Sequence, residues 1–173
     1  MKTIKMGMVL AVFCVISSGL LAYVYIYTKP TIAVQESVIF ENSLREVLPG
    51  ALTFHTVTAE SGVLYMGMNE EQGIGYAVEV VPRGYGGEIK ILVGISLKGK
   101  ICGIKVLSQN ETAGLGTNVV KPDFLKQFLE KSLADPLEAK KDIKAITGAT
   151  ISSRAVCRGV REALQNIDLK EKK

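Results

Sequence analysis

From residue 6 to residue 27 the chain carries no charged residue. A run of about twenty apolar residues is what a helix needs to cross the roughly 30 Å hydrocarbon core of a bilayer. Beyond it the pattern changes. Between residues 34 and 48, Val38, Phe40, Leu44, Val47 and Leu48 recur at helical spacing, and Pro49-Gly50 stops the run, which predicts an amphipathic helix. Short β-rich segments follow at 62–68, 75–81, 88–97 and 100–107, and Lys98-Gly99 predicts a tight turn that joins the last two into a hairpin. Residues 123–133 read as a helix, with Pro122 allowed at its first turn. A short strand at 143–146 and a final helix at 151–167 complete the pattern. This order of elements predicts an α+β fold: a single N-terminal transmembrane helix, then one domain with a mainly antiparallel sheet and flanking helices.

The ends of the apolar run give it a direction. Lys2 and Lys5 precede it, Tyr23, Tyr25 and Tyr27 crowd its far end as interfacial aromatics do, and Lys29-Pro30 closes it. The expected organisation is residues 1–29 as cytoplasmic terminus and anchor, and residues 30–173 as one extracytoplasmic domain of a single-pass protein in the cytoplasmic (inner) membrane. A cleaved signal peptide has a shorter apolar region followed by a small-x-small site. Here the run ends in tyrosines, which favours a retained anchor. Phe13 before Cys14 stands where a lipoprotein site needs a small residue.

Charge and cysteine usage narrow the function classes. The net charge is +4, with Lys and Arg scattered among Asp and Glu. The Lys170, Lys172, Lys173 tail reads as a solvated terminus, so nucleic-acid binding has no support. Cys14, Cys102 and Cys157 form no Cys-x-x-Cys pair, and His55 is the only histidine, which argues against a metal or iron–sulfur site built by this chain alone. Whether Cys102 and Cys157 pair stays open at this level; as unpaired residues they read as small buried apolar groups.

Three motifs carry candidate chemistry. Thr147-Gly148-Ala149-Thr150-Ile151-Ser152-Ser153, preceded by Asp142, puts a small, hydroxyl-rich turn at the start of the last helix. Unpaired N–H groups and partial positive charge favour a phosphate there. Gly148 and Ala149 let a ligand approach the backbone, and the Thr150 hydroxyl is placed for esterification. Taken alone, the stretch reads equally well with Thr150 as a simple N-cap. Gly84-Tyr85-Gly86-Gly87, before a strand, is a flexible turn around one aromatic; Asn110 to Asn118, containing Glu111-Thr112-Ala113-Gly114-Leu115-Gly116, is a polar, Gly-rich loop. Each alone fits ordinary loop geometry.

Together, and in this order behind one anchor, the motifs resemble those of the FMN-binding domains of the Rnf complex G-subunit family, which is related to the C subunit of the Na⁺-translocating NADH:quinone reductase. That family carries a Gly-Tyr-Gly-Gly turn, a His-x-Glu-Thr-Pro-Gly-Leu-Gly loop and a Ser/Thr-Gly-Ala-Thr flavinylation site. The departures are Gln109 at the usual His and Ala113 at the usual Pro. The first puts any histidine-assisted proton step in doubt; the second loosens the loop.

The resemblance implies FMN joined to Thr150 through its phosphate. Thr147, Gly148, Ala149, Ser152 and Ser153 would lie around the phosphate, and Tyr85, Gly86, Glu111, Thr112, Gly114 and Leu115 around the isoalloxazine ring. It implies attachment by a separate Mg²⁺-dependent flavin transferase, with Asp142 as part of the sequence that enzyme reads. It also implies electron relay among the membrane and redox subunits of an Rnf-type ion-translocating ferredoxin:NAD⁺ oxidoreductase complex, where the chemistry is the flavin's own. No acid–base pair or nucleophilic triad is visible, so the chain reads as an electron-carrying subunit instead of a stand-alone enzyme. Two other readings remain: a C-subunit-like component of a Na⁺-translocating NADH:quinone reductase, and a non-redox ligand-binding or assembly module in which Thr150 only caps a helix.

Overall fold

The computed structural model of the chain describes residues 2–59, 62–70 and 72–171. Its first element is α1, Lys2–Val47, and the chain divides into two compact units, Met1–Phe40 and Glu41–Lys173. The first unit is helical over residues 2–40, and it supplies most of the one helix among the described residues that is long and apolar enough to cross a membrane. Lys29-Pro30 does not end this helix as the sequence suggested: Pro30 lies inside it. Proline removes one N–H and so one helical bond, while the residues on either side keep their own helical pattern and the element resumes.

The second unit holds five strands: β1 (Thr53–Ala59), β2 (Gly62–Asn69), β3 (Gln72–Val80), β4 (Ile89–Ser96) and β5 (Ile101–Gln109). They form one antiparallel sheet in the order β1-β2-β3-β4-β5, so every connection joins neighbours. The expected β4–β5 hairpin is present. Gly99 takes φ +71, and Ser96 N–H donates to the Lys100 carbonyl at 2.8 Å. Strand β1 was not anticipated, because its alternation is carried by threonines and an exposed His55 instead of by a clear apolar face.

Both faces of the sheet are covered within this unit. Alternate residues of β4 (Ile89, Ile91, Val93 and Ile95) join Leu64, Val78 and Val80 against the last helix, α3 (Thr150–Glu171), which contributes Val156, Val160, Ala163, Leu164 and Ile167. Full burial of one such side chain contributes roughly 1.5–3 kcal/mol. Toward the other face, Val47 and Leu48 at the end of α1 press onto the sheet. A methyl on Gly103 would stand 2.6 Å from the Val47 Cα, and one on Gly67 3.1 Å from Leu48 Cδ1, so glycine is needed where helix and sheet approach so closely.

Two other expected elements differ. Residues 123–133 do not form one helix: α2 spans only Pro122–Leu125, a 3-10 turn follows at Lys126–Phe128, and the chain then leaves the helical path. There Glu130 N–H donates to the Ile101 carbonyl and Ile101 N–H donates to the Lys131 carbonyl, both at 2.9 Å. Bonds to the start of β5 thus replace helical ones. Residues 143–146 are likewise not a strand. Ile143 makes an isolated parallel bridge to Ala139, while the Lys144 and Ile146 N–H groups donate to side chains, Gln127 Oε1 at 2.7 Å and Ser153 Oγ at 3.0 Å.

Candidate flavin site

Three segments converge at the start of α3. The Gly84–Gly87 turn between β3 and β4 is closed by Gly84 N–H donating to the Gly87 carbonyl at 2.7 Å, flanked by the Arg83–Glu88 bridge. The loop after β5 is held by its own bonds. Leu115 and Thr117 N–H both reach the Thr112 carbonyl, Gly114 N–H donates to Thr117 Oγ1, and Asn118 Nδ2 donates to the Gly114 carbonyl. Gly114 takes φ +77, open to glycine at little cost. With these bonds in place the loop is compact without the proline that Ala113 replaces. Gln109, at the position of the family's histidine, accepts the Glu111 N–H at 2.6 Å and so pins the start of the loop.

The third segment is the first turn of α3. Ser153 N–H donates to the Ala149 carbonyl at 3.0 Å, which makes Ala149 the cap and Thr150 the first helical residue. Thr150 is therefore not the N-cap that an ordinary helix start would make of it. Its hydroxyl makes no hydrogen bond among the described residues and lines two grooves at once.

One groove, of about 490 Å³, runs between the Gly84–Gly87 turn, the Glu111–Gly116 loop and the first turn of α3. Its size falls within the range of small-molecule sites, roughly 300–1,000 Å³. Three large apolar side chains edge it while exposed to solvent: Tyr85 at 71%, Leu115 at 45% and Ile151 at 53%. Exposed apolar groups gathered around one groove mark a ligand or partner surface. Gly148, at φ +79, has its missing Cβ position 3.0 Å from Leu115 Cδ2, so the floor of the groove is bare backbone under a leucine.

The second groove, of about 640 Å³, lies along 140–148 and is lined by Lys140, Lys141 and Lys144 with Gln127, Thr147 and Gly148. Lys141 pairs with Glu138 at 2.5 Å, whereas Lys140 and Lys144 make no ion pair among the described residues. Asp142 lines this groove too, with its carboxylate already engaged. It accepts the Glu138 N–H at 2.8 Å and the Leu137 N–H at 3.1 Å and pairs with Lys131 at 3.0 Å. Burial pushes its carboxyl up, but these bonds and the Lys131 charge outweigh that and hold it below the usual carboxylate range. Asp142 thus fastens the turn upstream of the motif.

Most residues singled out from the sequence come together here. Tyr85, Glu111, Thr112, Leu115, Gly148, Ala149, Thr150 and Ser152 line the smaller groove, and Thr147 opens onto the larger. Gly86 and Gly114 shape their loops without lining either. Ser153 is fully buried; its hydroxyl donates to the Ala149 carbonyl and accepts the Ile146 N–H, so it is committed to the fold and not to a ligand. The Ser152 hydroxyl is also engaged, donating to Glu111 Oε2 at 2.6 Å. Neither serine offers the free hydroxyl that a phosphate donor would need. Sequence reading placed Ile151 and Gly116 in the motifs without giving them a ligand role, and it passed over Lys140 and Lys144. Ile151 carried a usable signal, an apolar residue on the polar side of an amphipathic helix, and Lys140-Lys141 with Lys144 form a basic cluster just before the motif.

The FMN-binding domain family matches residues 84–165, spanning all three segments, and the RnfG N-terminal region matches residues 1–47. Over 164 residues the chain is 37% identical to the G subunit of the proton-translocating ferredoxin:NAD(+) oxidoreductase complex of Clostridium ljungdahlii, covering 91% of this chain and 88% of that one. It is 34% identical to the G subunit of the Na(+)-translocating ferredoxin:NAD(+) oxidoreductase complex of Acetobacterium woodii, covering 93% and 89%. The chain belongs to the Rnf complex G-subunit family. Among solved structures, the fold is similar to that of Shewanella oneidensis NqrC, with a TM-score of 0.53 at 19% identity, over 71% of this chain and 72% of that one. It is also similar to the C subunit of the Na(+)-translocating NADH-quinone reductase of Parabacteroides distasonis, with a TM-score of 0.51 at 21% identity, over 61% and 60%. Membership gives the grooves their context, because the segments that build them in this G-subunit relative all fall inside the matched FMN-binding region.

Proposed function

We propose that the protein is a membrane-anchored electron-carrying subunit in which FMN is joined to Thr150 Oγ1 through a phosphodiester. The observation that supports this most directly is a groove edged by exposed Tyr85, Leu115 and Ile151 that ends at a threonine hydroxyl with no hydrogen-bond partner among the described residues. Tyr85, Leu115 and Ile151 would hold the ring, with Thr112 beside them. The first turn of α3, whose backbone N–H groups lack helical acceptors, would hold the phosphate. Lys140 and Lys144 in the adjoining groove oppose its charge.

Flavin takes up and gives out electrons singly or in pairs. The chain's part is to hold it in place and to keep it from being lost. By relation to the ferredoxin:NAD(+) oxidoreductase subunits, electrons pass through this domain to and from the other membrane and redox subunits of an Rnf-type complex. The helix within residues 2–47 spans the membrane, and Lys2 and Lys5 keep its start in the cytoplasm, which puts the domain on the extracytoplasmic face. A separate flavin transferase installs the cofactor there, and tethering keeps it where replacement is difficult.

The test is flavin fluorescence in a denaturing gel, with peptide mass, on protein purified from its own membrane. A fluorescent band whose label maps to Thr150 and disappears in Thr150→Ala is expected. A native band without fluorescence removes the covalent cofactor, and fluorescence retained in Thr150→Ala removes the site.

A further inference from the structure

Donors from two separate segments converge on Glu111. Tyr85 N–H at 2.8 Å and Gly86 N–H at 3.2 Å donate to Oε1, and Ser152 Oγ donates to Oε2 at 2.6 Å. Glu111 is only 8% exposed, so although it lines the groove its carboxylate oxygens are already taken up by the protein. The surrounding glycines fit around it. A methyl on Gly84 would overlap Oε1, and one on Gly116 would lie 2.6 Å from Oε2 and 3.0 Å from Ser152 Oγ. Two glycines of two different loops therefore owe their lack of a side chain to one carboxylate. Neither loop needs this bridge to close, since each has its own backbone bonds. What the bridge fixes is the position of the turn and the loop relative to the first turn of α3, the three walls of the groove beside Thr150.

We propose that Glu111 is a positioning residue that assembles the ring groove in the chain before any flavin is present. A carboxylate suits the task because one oxygen can take two N–H groups while the other takes a hydroxyl, and charge-assisted bonds of this kind are roughly twice as strong as neutral ones. Glutamine can copy the connections, its carbonyl accepting both N–H groups and its amide N–H donating to Ser152 Oγ. Alanine cannot. The consequence for the cofactor rests on the flavin reading above, but the assembled groove does not.

The experiment is amide hydrogen exchange on the full chain in lipid nanodiscs, carrying Thr150→Ala so that no flavin is attached. Glu111→Ala should speed exchange at Tyr85 and Gly86 by about tenfold while Ile91 and Val93 in β4 keep their protection; Glu111→Gln should return most of that protection. Unchanged Tyr85 and Gly86 rates in the alanine variant overturn the proposal, as does glutamine exchanging as fast as alanine. Loss of β4 protection in step with Tyr85 also overturns it, since Glu111 would then serve general stability. With Thr150 restored, fluorescence anisotropy per attached flavin should fall in Glu111→Ala and recover in Glu111→Gln, and equal values in all three overturn the positioning role. A chain without flavin on Thr150 would sink the cofactor assignment and leave the exchange result standing.

Discussion

Ser153 Oγ accepts the Ile146 N–H at 3.0 Å, across seven residues of the motif, while donating to the Ala149 carbonyl at 2.9 Å. One buried hydroxyl thereby folds the segment before the flavinylation motif back onto the helix after it, which is why residues 143–146 need no neighbouring strand. Ser153→Ala leaves the Ile146 N–H without its acceptor, and a buried donor left unpaired costs about 1–3 kcal/mol. Denaturant unfolding of the variant should show a loss of that size. A change under about 0.5 kcal/mol would mean that solvent satisfies the N–H.

Residues whose signals are local were legible in the sequence. The Lys98-Gly99 turn, the Gly84–Gly87 turn, the order of β2 to β5 and the start of α3 all follow from glycine placement and apolar periodicity. Where side chains or distant backbone took over a donor, sequence reading failed. Glu130 and Lys131 exchange bonds with Ile101 and end the expected helix early; Gln127 and Ser153 bond Lys144 and Ile146 and remove the expected strand. The same limit applied to Glu111 and Ser152. Their residue types invited ligand contacts, and only the fold shows them bonded to each other.

Thr150 occupies the first helical position, with Ala149 as the cap, and its hydroxyl bonds nothing among the described residues. Removing that hydroxyl should therefore cost little. In flavin-free protein Thr150→Ala should shift unfolding by less than about 0.5 kcal/mol, where loss of a capping threonine would cost about 1 kcal/mol. A loss of the larger size would restore the view of Thr150 as a structural cap.

The Asp142 carboxyl lies below its ordinary value of 3.8 in the folded chain, so it favours folding above that value and the contribution is lost as pH falls through the lower, folded-state value. Acidification below about pH 4 should loosen the turn that it fastens. Backbone NMR shifts of Leu137 and Glu138, whose N–H groups it accepts, should move toward unstructured values in that range. Asp142→Asn should show part of that change at neutral pH and respond less to acid. Equal acid responses in both proteins would assign the turn's stability elsewhere.

All three cysteines are free, and the two in the domain differ in reach. Cys102 in β5 is half-buried, whereas burial, with the Asp142 charge adding, pushes the Cys157 thiol up to about 11. The thiolate is the reactive form, so a membrane-impermeant maleimide should label Cys102 and spare Cys157 until the protein is denatured. On intact spheroplasts labelling of Cys102 should proceed without permeabilisation if the domain lies outside. A requirement for permeabilisation would place the domain in the cytoplasm and remove the reason offered for tethering the flavin.

Lys140 and Lys144 line a groove that shares Gly148 and Thr150 with the one edged by Tyr85, Leu115 and Ile151; Asp142 lines it as well but is paired with Lys131, whereas neither lysine has an ion-pair partner among the described residues. A phosphodiester at Thr150 brings one negative charge to that groove, and two uncompensated ammonium groups beside it attract the incoming phosphate as well as the finished linkage. Both lysines are exposed, so their attraction is screened within about a Debye length, roughly 8 Å at physiological ionic strength. Replacing both with glutamine should slow transferase-dependent flavin attachment several-fold at low salt, leave unfolding unchanged, and differ less from wild type as salt is raised. Salt is the deciding variable, because a lost transferase contact of an uncharged kind would slow attachment equally at every ionic strength. A double variant that attaches flavin at the wild-type rate in low salt would show that the helix start and its backbone N–H groups hold the phosphate without help from this groove.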